Sequence, residues 1–364
     1  MALALHEIKW SDPILPARPD PAWEAEVKRR GGRVGEVDRR VAPSPWVREA
    51  GFSVLNYRPS AMPQRLYVIC ALVTAQENSC RYCYGANRAY MKILGYSESF
   101  ISRLERDVQM AELEQRERAC IDFYRNLARS RPRPPRQERD KLIDIGYSAL
   151  AVNEMAFAVA ICCFYNRVAT LIACPPEAGF ERLADGFVGR LMGLAAPIIE
   201  ALSRVRRRAS PRPPAQAADL ATGGFAPVIA PLAQLPAHRV MHSMLQDAFA
   251  SDVLPVPTKA LMFAVVARTL GCSFCEREAF RMLAHEGLGE GEIETALSTL
   301  QWKGLPAQQS GLLSWARDTV YYETGKIQPL TRQLGAAIGD AALLEAIGVA
   351  SLANSTVRLA MLVE

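Results

Sequence analysis

The chain has 364 residues, half of them hydrophobic and 8% aromatic, with 43 basic against 38 acidic residues and a net charge of +5. That composition excludes a disordered polypeptide and supplies apolar surface for one large core or two ordinary ones. Two Arg-rich stretches, residues 128–141 and 203–214, are Pro-rich and lack interleaved aromatics, so they read as solvated connections and no nucleic-acid partner is expected.

Residues 1–44 are rich in Pro, Arg and Trp and read as an extended or partly helical arm, with Trp10, Trp23 and Trp46 suited to docking on a neighbouring repeat or subunit. The opening MALALHEIKWSDP is too short and too polar for a signal peptide. From Pro45 onward apolar residues recur at helical spacing and no alternating strand pattern appears, so the chain is expected to be all-α. MPQRLYVICALVTAQEN is one helix, and YGANRAYMKILG continues or follows it, with Gly95 as its stop. Residues 96–130 give two more, with Ser97 or Ser99 as a cap. NEMAFAVAICCFYNRVATLIA is a long apolar helix ended by Pro175 and Pro176; Asn153 and Glu154 interrupt its apolar run, which favours a core helix over a membrane span. The stretch 203–236 reads as a linker, after which helices resume.

The chain reads as two copies of one helical unit. An offset of 192 residues (272 minus 80) aligns Pro63 with Pro255, Cys80 with Cys272, Cys83 with Cys275, Gly95 with Gly287, and Glu98 with Glu290. Further on, Asn166 is matched with Asn354. The expected division is an arm (1–44), a first domain (45–202), a linker (203–236) and a second, diverged domain (237–364).

Each copy thus carries a CxxC, Cys80/Cys83 and Cys272/Cys275. Nine cysteines, an odd number, without an export signal suggest a reducing cytoplasmic setting and no disulfide framework. Two cysteines at i and i+3 of a helix share a face, within reach of a disulfide, and a helix N-terminus favours the thiolate of the first. Arg81 and Arg88 would add positive potential to the first pair, whereas Glu276 and Glu278 would oppose a thiolate in the second, so the first pair is expected to be the more reactive. A four-cysteine zinc site would need knuckles much closer in sequence than these. No cofactor is therefore expected; a thiolate-bound metal stands as the alternative.

An apolar helix leading into NSCRYC, then LGYSE, and later FYNRVATLIACPPE, is similar to the carboxymuconolactone decarboxylase superfamily, in its alkylhydroperoxidase D-like, peroxidase-related branch. The likeness covers residues 50–180, and 238–364 more faintly. It implies two tandem all-α repeats and assembly into homo-oligomers. Here that means a dimer, or three chains forming a pseudo-hexamer. It also implies reduction of a small-molecule peroxide through a CxxC disulfide cycle, with Cys83 attacking, Cys80 resolving, and a dithiol protein as reductant. The family's His and Glu relay positions hold Asn87 and Val68 in the first copy, and Ala279 and Ala260 in the second. Stand-ins for that relay are Glu77, Tyr82, Tyr84 and Glu154, with Asn166 and Arg167 in support; Glu154 would otherwise pair with an arginine such as Arg167. A lyase, isomerase or metal-assisted oxidase acting on a small organic substrate, and a non-catalytic oligomeric protein, are the alternative readings.

Overall fold

The computed structural model describes residues 3–185 and 225–364, which form eighteen α-helices and, among the described residues, no strand. The first ten are α1 (Pro21–Arg29), α2 (Glu36–Arg40), α3 (Pro45–Leu55), α4 (Gln64–Glu77), α5 (Arg81–Ile93), α6 (Glu98–Arg106), α7 (Gln115–Arg129), α8 (Gln137–Asp144), α9 (Ala149–Leu171) and α10 (Ala178–Asp185). After residue 225 come α11 (Ala226–Ile229), α12 (Pro236–Ala250), α13 (Val256–Thr269), α14 (Ser273–His285), α15 (Glu290–Thr299), α16 (Leu312–Asp318), α17 (Thr324–Ile338) and α18 (Asp340–Leu359).

The local chemistry explains the boundaries. The Ser97 hydroxyl caps α6 by accepting from the Phe100 N–H at 3.1 Å, and Ser148 caps α9 in the same way. Gly95 closes α5 with φ +86°: its N–H donates to the Lys92 carbonyl while the Tyr96 N–H reaches back to Met91. Gly287 repeats this closure after α14, with φ +87° and bonds to Ala284 and, through Leu288, Leu283.

Helix α9 is long and apolar enough to cross a membrane, but 83% of its apolar window is buried within the protein. It packs most extensively against α18, and the two form the centre of the core. Arg167 of α9 donates to the Thr319 and Val320 carbonyls, and Arg358 of α18 donates to the Ala128 carbonyl. The N-terminal arm ties the two ends of the chain together. The Trp10 indole donates to the Cys174 carbonyl, Ser11 to Gln328, and the Trp46 indole to Glu345.

Two sequence expectations change here. Residues 203–224 of the expected linker lie outside the described residues, but residues 225–236 are packed: Phe225, Val228, Ile229, Leu232 and Leu235 are buried. Their helical spacing was hidden by the surrounding Ala and Pro. The second change concerns Asn354, which is wholly buried against Arg358 and Thr319, whereas Asn166 faces a cavity. Cys163 stands where Asn354 does: the carbonyl of each, four residues before the core arginine, accepts from that arginine.

Candidate functional site

The turn that carries the first CxxC is built twice over. Helix α4 ends with Ser79 in the left-handed region, φ +48°, and the Cys80 N–H returns to the Ala75 carbonyl at 3.0 Å. Cys80 is then the N-cap of α5, its Sγ accepting from the Cys83 N–H at 3.3 Å. One residue thus ends one helix turn and begins the next, which fixes its sulfur at the positive end of α5. Cys272 is placed alike: Gly271 is left-handed, the Cys272 N–H returns to Ala267, and its Sγ caps Cys275 at 3.3 Å.

Both members of the first pair are buried. Burial pushes the Cys80 thiol up, but the Cys83 thiol, the Cys83 N–H, the Thr170 hydroxyl and the Tyr82 N–H outweigh it and hold Cys80 below the ordinary value of 9.0. Burial, then the hydrogen bond to Cys80 and its charge, push Cys83 well above that value. Of the two thiols, Cys80 is therefore the more acidic and Cys83 the one that keeps its proton longer. In the second pair the Cys275 thiol, against burial, and then the Cys275 N–H and Arg133 lower Cys272, while Glu364 opposes. The Cys272 Sγ lies 3.3 Å from the Glu364 carboxylate, which also accepts from Ser273 at 2.8 Å and pairs with Arg133.

Cys83 opens onto a cavity of about 300 Å³. Its walls come from five helices: Val54 and Leu55 of α3; Val68 and Ala71 of α4; Tyr82, Cys83, Ala86, Asn87 and Tyr90 of α5; Cys162, Tyr165 and Asn166 of α9; Phe180 of α10. The i, i+4 rhythm along α5 puts Cys83 and Asn87 on one face. Val68 and Asn87, at the two positions where the resembled family keeps its relay, both line this cavity. No described lining residue replaces the relay's carboxylate. Asn87 is occupied with the Ala71 carbonyl at 3.2 Å. Three buried polar atoms of the lining, the Gln64 side-chain oxygen, the Asn166 amide nitrogen and the Tyr165 hydroxyl beside Tyr82, have no close hydrogen-bond partner among the described residues, an expensive state for buried polar groups unless a guest or solvent satisfies them.

The other proposed supports lie elsewhere. Glu77 pairs with Arg125 at 2.7 Å and Arg129 at 2.5 Å. Tyr84 is buried beside Glu105, its hydroxyl pushed up by burial and by that carboxylate. Glu154 does not meet Arg167; one of its oxygens accepts from the Tyr57 hydroxyl at 2.5 Å and the Ser60 N–H at 2.7 Å, the other from the Ala61 and Met62 N–H groups at 2.5 and 2.7 Å. It clamps the loop between α3 and α4. Arg167 donates to the Asn78 side chain at 3.3 Å, behind the Cys80 turn, and the Tyr322 hydroxyl donates to the Asn78 carbonyl at 2.7 Å. Of the proposed stand-ins for the relay, only Tyr82 reaches the cavity, and its hydroxyl is 3.2 Å from Glu177. The positive potential expected from Arg81 and Arg88 is absorbed by ion pairs, Arg81 with Glu181 and Arg88 with Glu98 and Glu105.

Tyr165, Cys162, Thr170 and Arg58 were not singled out from the sequence. The 162, 165, 166 spacing in CCFYNR was the one legible signal, since it follows a single helix face. Among the described residues no three His, Cys, Asp or Glu side chains converge as a metal site requires. Comparison of the chain with protein-family models, with curated proteins and with solved structures finds no match.

Proposed function

We propose that the protein is a thiol-dependent oxidoreductase that reduces a small peroxide at Cys83 and Cys80. The observation that carries this reading is the geometry of the pair: Cys80 at the N-cap of α5, its Sγ accepting from the Cys83 N–H, and Cys83 opening onto a cavity. As the Cys83 proton passes to Cys80, the Cys83 sulfur attacks the terminal peroxide oxygen, the O–O bond breaks, and a sulfenic acid and an alkoxide form. Cys80 then displaces the sulfenic oxygen, which leaves as water with the proton Cys80 had received. In sum, the dithiol monoanion and ROOH give the disulfide, water and RO⁻, which takes its proton from solvent. Cys80 serves as the proton acceptor that the relay's missing carboxylate and imidazole would have supplied, and the unpartnered Asn166 and Tyr165 donors suit the departing oxygen. A dithiol protein returns the pair to the reduced state by exchange.

The same reading takes the chain as two copies of one helical unit, the second degenerate or auxiliary, with chains assembling as a dimer or as three chains in a pseudo-hexamer. It is supported by the like placement of both CxxC turns and by the reciprocal arginines of α9 and α18. The test is stoichiometric oxidation: one equivalent of tert-butyl hydroperoxide should consume two thiols in wild type and none rapidly in Cys83→Ser. Equal consumption by that variant would refute the assignment.

A further inference from the structure

The cavity at Cys83 has one charged side chain among its described lining residues, Arg58. No carboxylate lines it among the described residues. Arg58 sits on the loop between α3 and α4, exposed at the cavity's outer end, and its guanidinium donates through one nitrogen to the Tyr57 carbonyl at 2.9 Å and the Leu55 carbonyl at 3.4 Å. It makes no ion pair with a described residue, whereas arginines Arg65, Arg81 and Arg88 of the neighbouring helices all do. The loop that carries it is tied down by five hydrogen bonds to Glu154, from Tyr57, from the backbone and hydroxyl of Ser60, and from Ala61 and Met62. Around Arg58 the rim is apolar, with Leu55 and Tyr90 46% and 41% exposed. The lining also includes Val54, Tyr67, Val68, Ala71 and Phe180, and, buried, Cys83 with the two unpartnered donors, Asn166 and Tyr165.

The exposed part of the lining therefore carries the cation, and the buried part is mainly apolar with Cys83 and a few polar groups. From this we infer that the cavity binds a small monocarboxylate with an apolar body, its carboxylate on Arg58 and its other end against Cys83. A guanidinium offers a carboxylate two parallel N–H donors, and Arg58 has donors left after its two carbonyl bonds. A cationic guest is repelled by Arg58, and a neutral one leaves its guanidinium unused. A volume near 300 Å³ is at the low end for ligand pockets and fits a compact guest. The inference rests on the proposed function only in taking the guest for the peroxide substrate, which would then be a carboxylate-bearing organic hydroperoxide; the binding itself does not depend on that chemistry.

The experiment uses the full chain, reduced, without peroxide, and octanoate as the probe. Octanoate, 1-octanol and octylammonium are titrated by calorimetry, and the rate of Cys83 alkylation by iodoacetamide is followed by peptide mapping at saturating ligand. Octanoate should bind about tenfold or more tightly than octanol, octylammonium should bind least, and octanoate should slow Cys83 alkylation at least fivefold. Arg58→Gln should bring octanoate down to the level of octanol, and Arg58→Lys should restore part of the difference. Octanol binding as tightly as octanoate to wild type, or alkylation of Cys83 unaffected by bound octanoate, overturns the inference without recourse to any variant. Selective octanoate binding with thiols inert to peroxide would instead remove the peroxidase reading and leave this one standing.

Discussion

Arg167 and Arg358 are reciprocal. Arg167 reaches the Thr319 carbonyl, Arg358 reaches the Ala128 carbonyl, and both separations are 191 residues (358 minus 167; 319 minus 128). Each guanidinium is buried, crosses from its own long helix to the end of a helix in the other half, and also binds the carbonyl four residues before it. Burial, and next the charge of Arg167, bring Arg358 down to about 10. Two like charges are kept near one another because carbonyl oxygens surround both.

Arg167→Met should therefore cost about 3 kcal/mol, because the carbonyls of Thr319 and Val320 lose their donor while buried. It should also loosen the Cys80 turn through Asn78. Urea unfolding measures the first effect and the pH dependence of Cys80 alkylation the second. A loss under 1 kcal/mol would mean that α9 and the end of α16 are held together by packing alone.

Ser79→Gly should stabilise the protein by about 1 kcal/mol. Ser79 is a non-glycine residue in the left-handed region with no side-chain hydrogen bond among those found, and Gly271 already occupies the like position before Cys272. The thermal midpoint should rise while peroxide reactivity stays unchanged. A fall in the midpoint would contradict the helix-turn-helix account of the site.

Glu154→Gln should cost about 2 kcal/mol. The amide turns one of two acceptor oxygens into a donor that faces N–H groups of the loop holding Arg58. Proteolysis between residues 57 and 62 should speed up. Glutamine behaving as wild type in both stability and proteolysis would show the clamp to be dispensable.

The reduced protein should gain stability over Cys80→Ser as pH rises. The folded Cys80 thiol lies below its ordinary 9.0, so between the folded value and 9.0 the unfolded chain holds a proton that the native one has released. The advantage is complete above about 9.0 and disappears as pH falls through the folded value. Urea unfolding of both proteins at pH 6, 7.5 and 9 checks the sign; a constant difference would place no thiolate on Cys80.

Helices were legible where apolar periodicity met a local stop, as at Gly95, Ser97 and the long run of α9. The CxxC pairs and their offset were legible too, because spacing alone puts both sulfurs on one face. Roles that depend on the partner were not. Glu77, Glu154 and Arg167 are conspicuous in sequence, yet each is committed to residues 48 to 152 positions away. The spacing of Cys162, Tyr165 and Asn166 puts them on one face of α9, but which neighbour that face meets depends on how α9 packs against α5, which the sequence of α9 does not record. Residues 225–236 looked like linker by composition, and only the packing of α11 and α12 reveals their buried face.

The most direct test of the central claim is disulfide mapping of the reduced full chain after one equivalent of tert-butyl hydroperoxide, by non-reducing peptide mass spectrometry. The account predicts a Cys80–Cys83 bond formed with loss of two thiols, absent in Cys83→Ser. Cys80 and Cys83 remaining reduced while the peroxide persists, or oxidation confined to other cysteines, would contradict it.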